Sequence, residues 1–132
     1  MKIEYKRRIF GYECDIYGHL NNANYLHLYE EARAAALEQM KMPIGKFKEM
    51  GFNIYLTHIE LDFIKAINLE ERITIRTSIA EMNRLKAVWK QEIYNSKNEL
   101  CNMATVIGVF VKNDKPARIS KELYTYFTKF IG

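Results

Sequence analysis

A chain of 132 residues, 48% of them hydrophobic, has room for one domain with one buried core, so residues 1–132 are predicted to form a single domain. The net charge of +4 comes from lysines and arginines that are interleaved with acids, which argues against the concentrated basic face of a nucleic-acid-binding module. A charged N-terminus and only strand-sized apolar runs argue against a signal peptide and a membrane span, so we expect a cytoplasmic protein.

The first elements in chain order are a strand and a loop. Ile3 to Phe10 is a candidate strand. Gly11 to Asn24 carries two glycines and three asparagines, a composition that is typical of turns and loops. We therefore expect an irregular connection of some length before the next regular element.

A long helix is predicted to follow, beginning near Tyr25. Strong helix formers fill Glu30 to Glu38, and Pro43 should end the helix. One face is apolar at the spacing of a buried helical stripe, with residues Leu28, Tyr29, Ala32 and Ala36. A capping oxygen at the start could come from any of three asparagines, Asn21, Asn22 or Asn24.

Four further segments are rich in β-branched and aromatic residues and are predicted as strands, namely Ile59 to Ile67, Arg72 to Ala80, Lys86 to Tyr94 and Leu100 to Lys112. Asn95 to Asn98 has the composition of a hairpin turn between the last two. The run from Val106 to Val111 is apolar on both faces, which indicates an interior strand. A short final helix over Lys121 to Phe130 has Ser120 as its expected cap.

One strand, one long helix and then four strands make an α+β plan. A helix with a single apolar stripe must bury that stripe, and the concave face of a curled antiparallel sheet can accept it. The sequence therefore predicts a long central helix wrapped by a sheet of about five strands.

The most informative stretch leads into the long helix and reads D-x-x-G-H-x-N-N-x-x-Y from Asp15 to Tyr25. With Glu31-Ala32-Arg33 in register behind it, this motif resembles the 4-hydroxybenzoyl-CoA thioesterase-like family of hotdog proteins, and also the matching segment of acyl-ACP thioesterases. The resemblance extends over nearly the whole chain. It implies a hotdog fold and hydrolysis of an acyl-CoA or acyl-carrier-protein thioester to a carboxylic acid and a thiol.

The resemblance also implies roles for individual residues. Asp15 takes the place of the catalytic carboxylate, acting as nucleophile or as general base toward water, and a backbone N–H near Asn22 holds the thioester carbonyl. Physical chemistry agrees, because a helix N-terminus can stabilise an oxyanion and a nearby carboxylate can attack or activate water. His19 is expected to orient that carboxylate or stabilise the leaving thiolate, and Tyr25 to contact the substrate. Asn22 departs from the family, where relatives often carry histidine or tyrosine.

Substrate contacts are expected in two other places. Coenzyme A is a polyanion, and in related thioesterases the turn between two strands that corresponds to Glu81–Lys86 contacts its nucleotide. Arg84 is the first candidate there, with Lys86 and Asn83 behind it. Glu31 on the helix is a secondary catalytic or substrate-binding candidate, more simply solvent-facing or paired with Arg33. A second departure, Ala66 in place of the usual proline, concerns loop geometry.

Other interpretations remain open at this level. Asp15, His19 and the asparagines could be turn formers only, the chain could bind acyl thioesters without turnover, or it could be a hotdog hydratase or dehydratase. Cys14 is expected to point into the core and, with Cys101, to be a reduced thiol. No metal site and no resident cofactor are expected, since coenzyme A is part of the substrate. An open sheet edge predicts a homodimer or homotetramer.

Overall fold

The computed structural model describes residues 1–132. Its elements, in chain order, are β1 (Ile3–Arg8), a single 3₁₀ turn (Gly11–Glu13), α1 (Asn24–Gln39), α2 (Ile44–Glu49), β2 (Asn53–Phe63), β3 (Arg72–Met82), β4 (Lys86–Tyr94), β5 (Leu100–Lys112), β6 (Lys115–Pro116) and α3 (Lys121–Thr128). None of the helices is both long and apolar enough to cross a membrane.

The strands form one antiparallel sheet in the order β1-β3-β4-β5-β2, with the two-residue strand β6 paired to the end of β5. β5 pairs with β4 on one side and β2 on the other, which confirms the prediction of an interior strand there. β1 and β2 are the two outer strands. The predicted α+β plan, a long helix held by a curled antiparallel sheet of about five strands, is therefore confirmed and is the hotdog arrangement.

The apolar stripe of α1 faces the sheet as its spacing predicts. Tyr25, Leu28, Tyr29, Ala32 and Ala36 are all buried, because a helix with one apolar face gains stability only by covering that face. At the helix start the ring of Tyr25 meets Phe63 at the end of β2, edge to face, with 5.0 Å between ring centroids. The helix thereby runs along the concave side of the sheet, and its N-terminal end lies beside the end of β2.

Two expectations about α1 are wrong. No asparagine caps the helix, because Ala23 occupies the cap position and makes no side-chain hydrogen bond to the first turn. Asn21 Oδ1 accepts from the N–H of Ala23 itself, and the Asn24 side chain donates back to the Glu13 carbonyl. Pro43 does not end α1 either. The helix ends at Gln39, Lys41 takes a positive φ of 62°, and Pro43 precedes the short helix α2, which the sequence did not predict.

β2 lies earlier than predicted, at Asn53–Phe63 instead of Ile59 to Ile67. A register shift between Leu56 and His58 breaks its alternation, and its first half is exposed, so the period that marks a strand is absent there. The strand ends where the N–H groups of Ile64 and Lys65 both donate to the Cys101 carbonyl, at 2.9 and 3.0 Å. The final helix is two residues shorter than expected, but its predicted cap is confirmed by a 3.0 Å bond from Leu123 N–H to Ser120 Oγ.

Candidate active site

The loop that carries Asp15 is a tight turn closed by its own carboxylate. Asp15 Oδ1 accepts hydrogen bonds from the backbone N–H of Tyr17 at 2.9 Å and of His19 at 3.2 Å. The Asp15 N–H donates to the His19 carbonyl at 2.8 Å. Gly18 completes the turn with a φ of +75°, a conformation that glycine adopts without strain. One carboxylate oxygen is thus fixed, while Oδ2 accepts no hydrogen bond within the chain.

This turn is tied to the segment that follows β2. The Leu20 N–H donates to the Ile67 carbonyl at 2.8 Å, and the Leu69 N–H donates to the Gly18 carbonyl at 2.9 Å. Leu20 and Ile67 are themselves buried. The turn therefore belongs to the packed body of the domain, and the position of Asp15 is set by hydrogen bonds on both sides of it.

Asp15 borders an open cleft of about 450 Å³ between the start of α1 and the end of β2. The residues that line this cleft are Asp15, His19, Leu20, Asn22, Tyr25, Phe63, Ile64, Lys65 and Ala66. Four of the residues that the motif singled out are brought together here, namely Asp15, His19, Asn22 and Tyr25. Asp15 is half-buried, so its side chain lies at a crevice and not in bulk solvent.

The backbone at Asn22 supplies an unused donor to the same cleft. The N–H of Asn22 has no acceptor within the chain, whereas those of Ala23 and Asn24 are taken by the side-chain and backbone oxygens of Asn21, at 3.0 and 2.9 Å. Asn22 lies two residues before the first residue of α1, whose 16 residues give its N-terminal end a partial positive charge. A carbonyl oxygen that gains negative charge would be stabilised at this point.

Tyr25 forms the inner wall of the cleft. Its side chain is 3% exposed, and burial raises the pKa of its hydroxyl to about 12. The hydroxyl makes no hydrogen bond within the chain, so it is a neutral donor available to a molecule in the cleft. This placement fits a contact with substrate.

His19 lies at the mouth of the cleft with an exposed side chain. Its contacts with Asp15 run through the backbone, and its ring has no hydrogen-bond partner within the chain. The structure of the single chain therefore does not bring the imidazole to the Asp15 carboxylate, and the expected orienting role of that ring stays a prediction.

Glu31 lies outside this cleft. Its side chain is 39% exposed, in line with the expectation that it faces solvent, but the alternative of a pair with Arg33 is wrong, because its ion pair is with Arg7. Its carboxylate accepts from Arg7 at 3.0 and 3.1 Å and from the Tyr5 hydroxyl at 2.9 Å. Arg7 also pairs with Glu13, and these two side chains are 11% and 6% exposed. This cluster ties β1, the 3₁₀ turn and α1 together.

The predicted nucleotide-binding turn lies between β3 and β4. Asn83 Oδ1 accepts from the N–H groups of Leu85 at 2.8 Å and Lys86 at 2.9 Å, so Asn83 shapes the turn. Arg84 donates from Nε to the Ile119 carbonyl at 2.7 Å. A groove of about 400 Å³ beside it is lined by Asn83, Arg84, Leu85, Arg118 and Tyr124, and Lys86 borders the neighbouring groove.

Sequence reasoning missed two residues of this groove, Arg118 and Tyr124. Arg118 lies 34 positions after Arg84, outside any strand or helix, and only the pairing of the Arg84 and Ile119 backbones brings it alongside. Its single signal in the sequence was a cation just before the cap of the final helix. The groove therefore holds two arginines where the sequence pointed to one.

Fold and site together define a class of protein. The curled antiparallel sheet around a central helix is that of the hotdog proteins, and Asp15 lines one cleft with the start of that helix. Comparison with known proteins agrees, since the model of the thioesterase-like superfamily matches residues 11–127. The chain belongs to this superfamily.

Three relatives are representative. The acyl-CoA thioester hydrolase YbgC of Escherichia coli O157:H7 is 25% identical over 122 residues, which cover 91% of either chain. The DHNA-CoA thioesterase of Staphylococcus aureus superposes with a TM-score of 0.91 at 22% identity, over 97% of this chain and 89% of that one. Another Staphylococcus aureus protein, solved in complex with CoA, superposes with a TM-score of 0.90 at 8% identity, over 98% and 84%. The solved structures, at these identities, show a shared fold.

Proposed function

We propose that this protein hydrolyses acyl-CoA thioesters to a carboxylic acid and coenzyme A, with Asp15 as the reacting carboxylate. The observation that carries the proposal is that Asp15 and Asn22, whose backbone N–H has no acceptor within the chain, line one cleft at the start of α1. The YbgC relative is an acyl-CoA thioester hydrolase, which supports the choice of an acyl-CoA. Acyl-carrier-protein thioesters present the same reacting group and are the second substrate class to test.

In the proposed reaction the thioester carbonyl oxygen accepts a hydrogen bond from the Asn22 N–H. Asp15 Oδ2, which no protein donor occupies, removes a proton from a water molecule as that water attacks the carbonyl carbon. The tetrahedral intermediate then expels the thiolate, which takes up the proton that Asp15 had accepted, so that the carboxylate is restored. His19, at the mouth of the cleft, would stabilise that thiolate.

Direct attack by the Asp15 carboxylate is the other route, through an anhydride that water then opens. Single-turnover hydrolysis in ¹⁸O-labelled water separates the two routes. Under general-base catalysis the label enters the product acid alone. If an anhydride forms and water attacks it at the carboxyl carbon of Asp15, the label is found in Asp15. Both routes use the same two groups of the cleft.

We propose that the nucleotide end of coenzyme A binds at the groove that holds Arg84 and Arg118, because its phosphates need cations. Within one chain this groove lies far from the cleft. Phe63 in the cleft is paired with Asn102, whereas the turn at Lys86 is paired with Val109, which corresponds to about 23 Å along β5 at the rise of a strand. One copy alone therefore offers its basic groove and its carboxylate at opposite ends of the sheet.

A second copy resolves this separation, and we propose a homodimer or homotetramer on that ground. The outer edge of β2 has no strand beside it, and apolar side chains are exposed along it at Tyr55, Leu56 and Phe63. Antiparallel pairing of two β2 strands would bring the start of one strand, which is near its own basic groove, toward the end of the other, which is near the cleft. Light scattering after size-exclusion chromatography tests the oligomeric state directly.

The experiment that tests the function is a thiol-release assay with a panel of saturated, branched and aromatic acyl-CoAs and acylated carrier proteins. Release of free thiol from a saturated acyl-CoA is the expected result. Tight binding without thiol release would instead mean a non-catalytic binder, and turnover of enoyl-CoA without thiol release would mean a hydratase.

We propose a cytoplasmic location for the enzyme. The two unpaired cysteines, Cys14 and Cys101, fit a reducing compartment.

A further inference from the structure

Asn102 Nδ2 is the one buried side-chain nitrogen or oxygen of the chain that has no hydrogen-bond partner. The residue lies on β5 and is 0% exposed. The other end of the amide is satisfied, because Asn102 Oδ1 accepts from the Tyr29 hydroxyl at 2.6 Å, a separation typical of an O–H···O bond. A buried donor without an acceptor is costly to the fold and needs an explanation.

Asn102 lies directly behind the inner wall of the Asp15 cleft. It is paired with Phe63 across the β2–β5 ladder, and residues opposite each other in an antiparallel pair share one face of the sheet. Phe63 in turn meets the ring of Tyr25 edge to face. Tyr25 and Tyr29 are one helical turn apart on the same side of α1. The ring contact and the amide bond therefore lie side by side, between α1 and the sheet.

Tyr25 brings a second free donor to the same place. The residue lines the cleft, and its hydroxyl makes no hydrogen bond within the chain. Burial raises the pKa of this hydroxyl to about 12, so it keeps its proton at neutral pH. The amide nitrogen of Asn102 can only donate, and the hydroxyl is free to donate as well. Two unused donors therefore border the inner end of the cleft.

The Phe63 ring is the movable part of this wall. Phe63 is 55% exposed and is the last residue of β2, and exposed side chains change rotamer rapidly. An acyl group in the cleft can therefore turn the ring aside and reach the amide behind it. Asn102 itself lies on β5, inside the sheet, so a second copy paired at the β2 edge neither covers nor moves it.

The two donors specify an oxygen that accepts hydrogen bonds. A ketone oxygen has two lone pairs and can accept from both donors. A saturated hydrocarbon chain would leave them without an acceptor, and a site built to hydrogen-bond its substrate discriminates strongly against such an analogue. From Asn24 at the start of α1 to Tyr29 the helix advances about 8 Å. The oxygen therefore belongs several bonds beyond the thioester carbonyl.

We propose that Asn102 determines substrate specificity and that the substrates are oxoacyl thioesters, whose remote oxo group accepts from Asn102 Nδ2 and from the Tyr25 hydroxyl. The amide contacts the acyl group far from the reacting carbon, so it selects the substrate and takes no part in the chemical step. Naming a thioester rests on the proposed function, whereas the preference for an oxo group can be measured as binding alone.

A matched series of octanoyl-CoA and its 5-oxo, 6-oxo and 7-oxo derivatives tests the proposal. These substrates differ only in whether and where they carry one oxygen, so kcat/KM for thiol release reports the contact. At least one oxo isomer is expected to exceed octanoyl-CoA at least about tenfold in kcat/KM. Without donors in the site the order would be reversed, because an oxo group is costly to move from water into an apolar site.

Two variants separate the donors. Asn102→Val removes the amide, and the ratio of kcat/KM between the best oxo isomer and octanoyl-CoA is expected to fall to about one or below. Tyr25→Phe removes the other donor and should lower this ratio several-fold. It breaks no hydrogen bond within the chain, so it tests the proposal even if Asn102→Val, which takes the acceptor from Tyr29, does not fold. Met103→Val, at the next residue of β5 on its exposed face, is the control and should keep the wild-type ratio.

A wild-type ratio of one or less for all three isomers would overturn the inference, because the amide would then be satisfied by a trapped water that no substrate replaces. A ratio unchanged by Asn102→Val, or by Tyr25→Phe where the first variant does not fold, would overturn it as well.

Binding separates this inference from the proposed function. Isothermal titration calorimetry of Asp15→Asn with the same series gives dissociation constants without turnover. If no acyl-CoA releases thiol from the wild type, the proposed function fails. Binding of one oxo isomer about tenfold tighter than that of octanoyl-CoA would still support the oxo preference, and equal affinities would contradict it.

Discussion

The side chain of Asn24 donates from Nδ2 to the backbone carbonyl of Glu13 at 2.8 Å. This bond joins the first residue of α1 to the last residue of the 3₁₀ turn, two residues before Asp15. The same carbonyl accepts the Asn21 N–H at 2.9 Å. The separation between the Asp15 carboxylate and the Asn22 N–H is therefore set by hydrogen bonds that converge on one carbonyl group.

Removing this connection should damage turnover more than stability. Asn24→Ala is expected to lower kcat about tenfold or more with little change in KM, because small displacements of reacting groups are costly in rate. Alanine is a better helix former than asparagine, which offsets part of the lost bond in the stability of the fold. Steady-state kinetics and thermal unfolding of the same preparation check both statements. Asn24→Asp, which cannot donate this bond, should behave like the alanine variant, and unimpaired kcat in both would show that the bond does not position the site.

The buried pair of Arg7 and Glu13 should contribute strongly to stability. Glu13→Gln leaves Arg7 with Glu31 as its only anion, and because the pair is nearly inaccessible to water we expect a loss of about 2 kcal/mol in the free energy of unfolding. Lys2→Met breaks an exposed pair with Glu92 and should cost less than about 1 kcal/mol. Urea unfolding of both variants makes the comparison. Equal losses in the free energy of unfolding would mean that the buried Arg7 pair stabilises the fold no more than an exposed pair does.

Stability should fall at high pH through Tyr25. Burial raises the pKa of its hydroxyl to about 12 in the folded chain, so between about pH 10 and 12 the unfolded chain loses this proton while the folded chain keeps it. The contribution is complete below pH 10 and is lost as the pH rises through this window. Tyr25→Phe, which breaks no hydrogen bond within the chain, should leave stability at pH 7 nearly unchanged and make its decline between pH 10 and 12 shallower. A decline identical to that of the wild type would contradict the assignment.

Arg118 should affect the binding of the nucleotide and not the chemical step. Arg118→Ala is expected to raise KM for acyl-CoA several-fold, to leave kcat unchanged, and to have no effect on acyl-pantetheine, which lacks the nucleotide phosphates. Lys46→Ala, an exposed cation on α2, is the matched control for a loss of general positive charge. Equal effects of the two variants on KM, or an equal effect of Arg118→Ala on both substrates, would show that the groove does not bind the nucleotide of coenzyme A.

Periodic features of the fold could be predicted from the sequence. The buried stripe of α1 and the bounds of β4 and β5 follow from apolar spacing, which depends only on local geometry. The start of β2 could not be predicted, because the register shift after Leu56 and the exposure of its first half remove the alternation. The short helix α2 is held by the burial of Phe47 against Phe110 and Phe127, contacts that join distant parts of the chain.

Residues of the candidate site that lie close together in the sequence could be predicted, and those that are far apart could not. The motif from Asp15 to Tyr25 is local, so the sequence identified four residues of the cleft, whereas the opposite wall at the end of β2 comes from a distant part of the chain. Partners far apart in the chain were not predictable: Glu31 pairs with Arg7 on β1 instead of Arg33 on its own helix. Asn24 likewise has the side chain of a helix cap, and only the folded chain shows that it bonds to Glu13 instead.

The central claim is that the Asp15 carboxylate, in the cleft that it lines with Asn22 at the start of α1, carries out thioester hydrolysis. The most direct test is kcat of Asp15→Asn with the best acyl-CoA of the panel. The control is Asp114→Asn, at an exposed turn aspartate outside the cleft. Asparagine keeps the oxygen that accepts from Tyr17 and His19, so the turn should persist. We predict a fall of at least about 100-fold for Asp15→Asn, with a wild-type unfolding temperature and a normal control. Turnover close to that of the wild type would contradict the account.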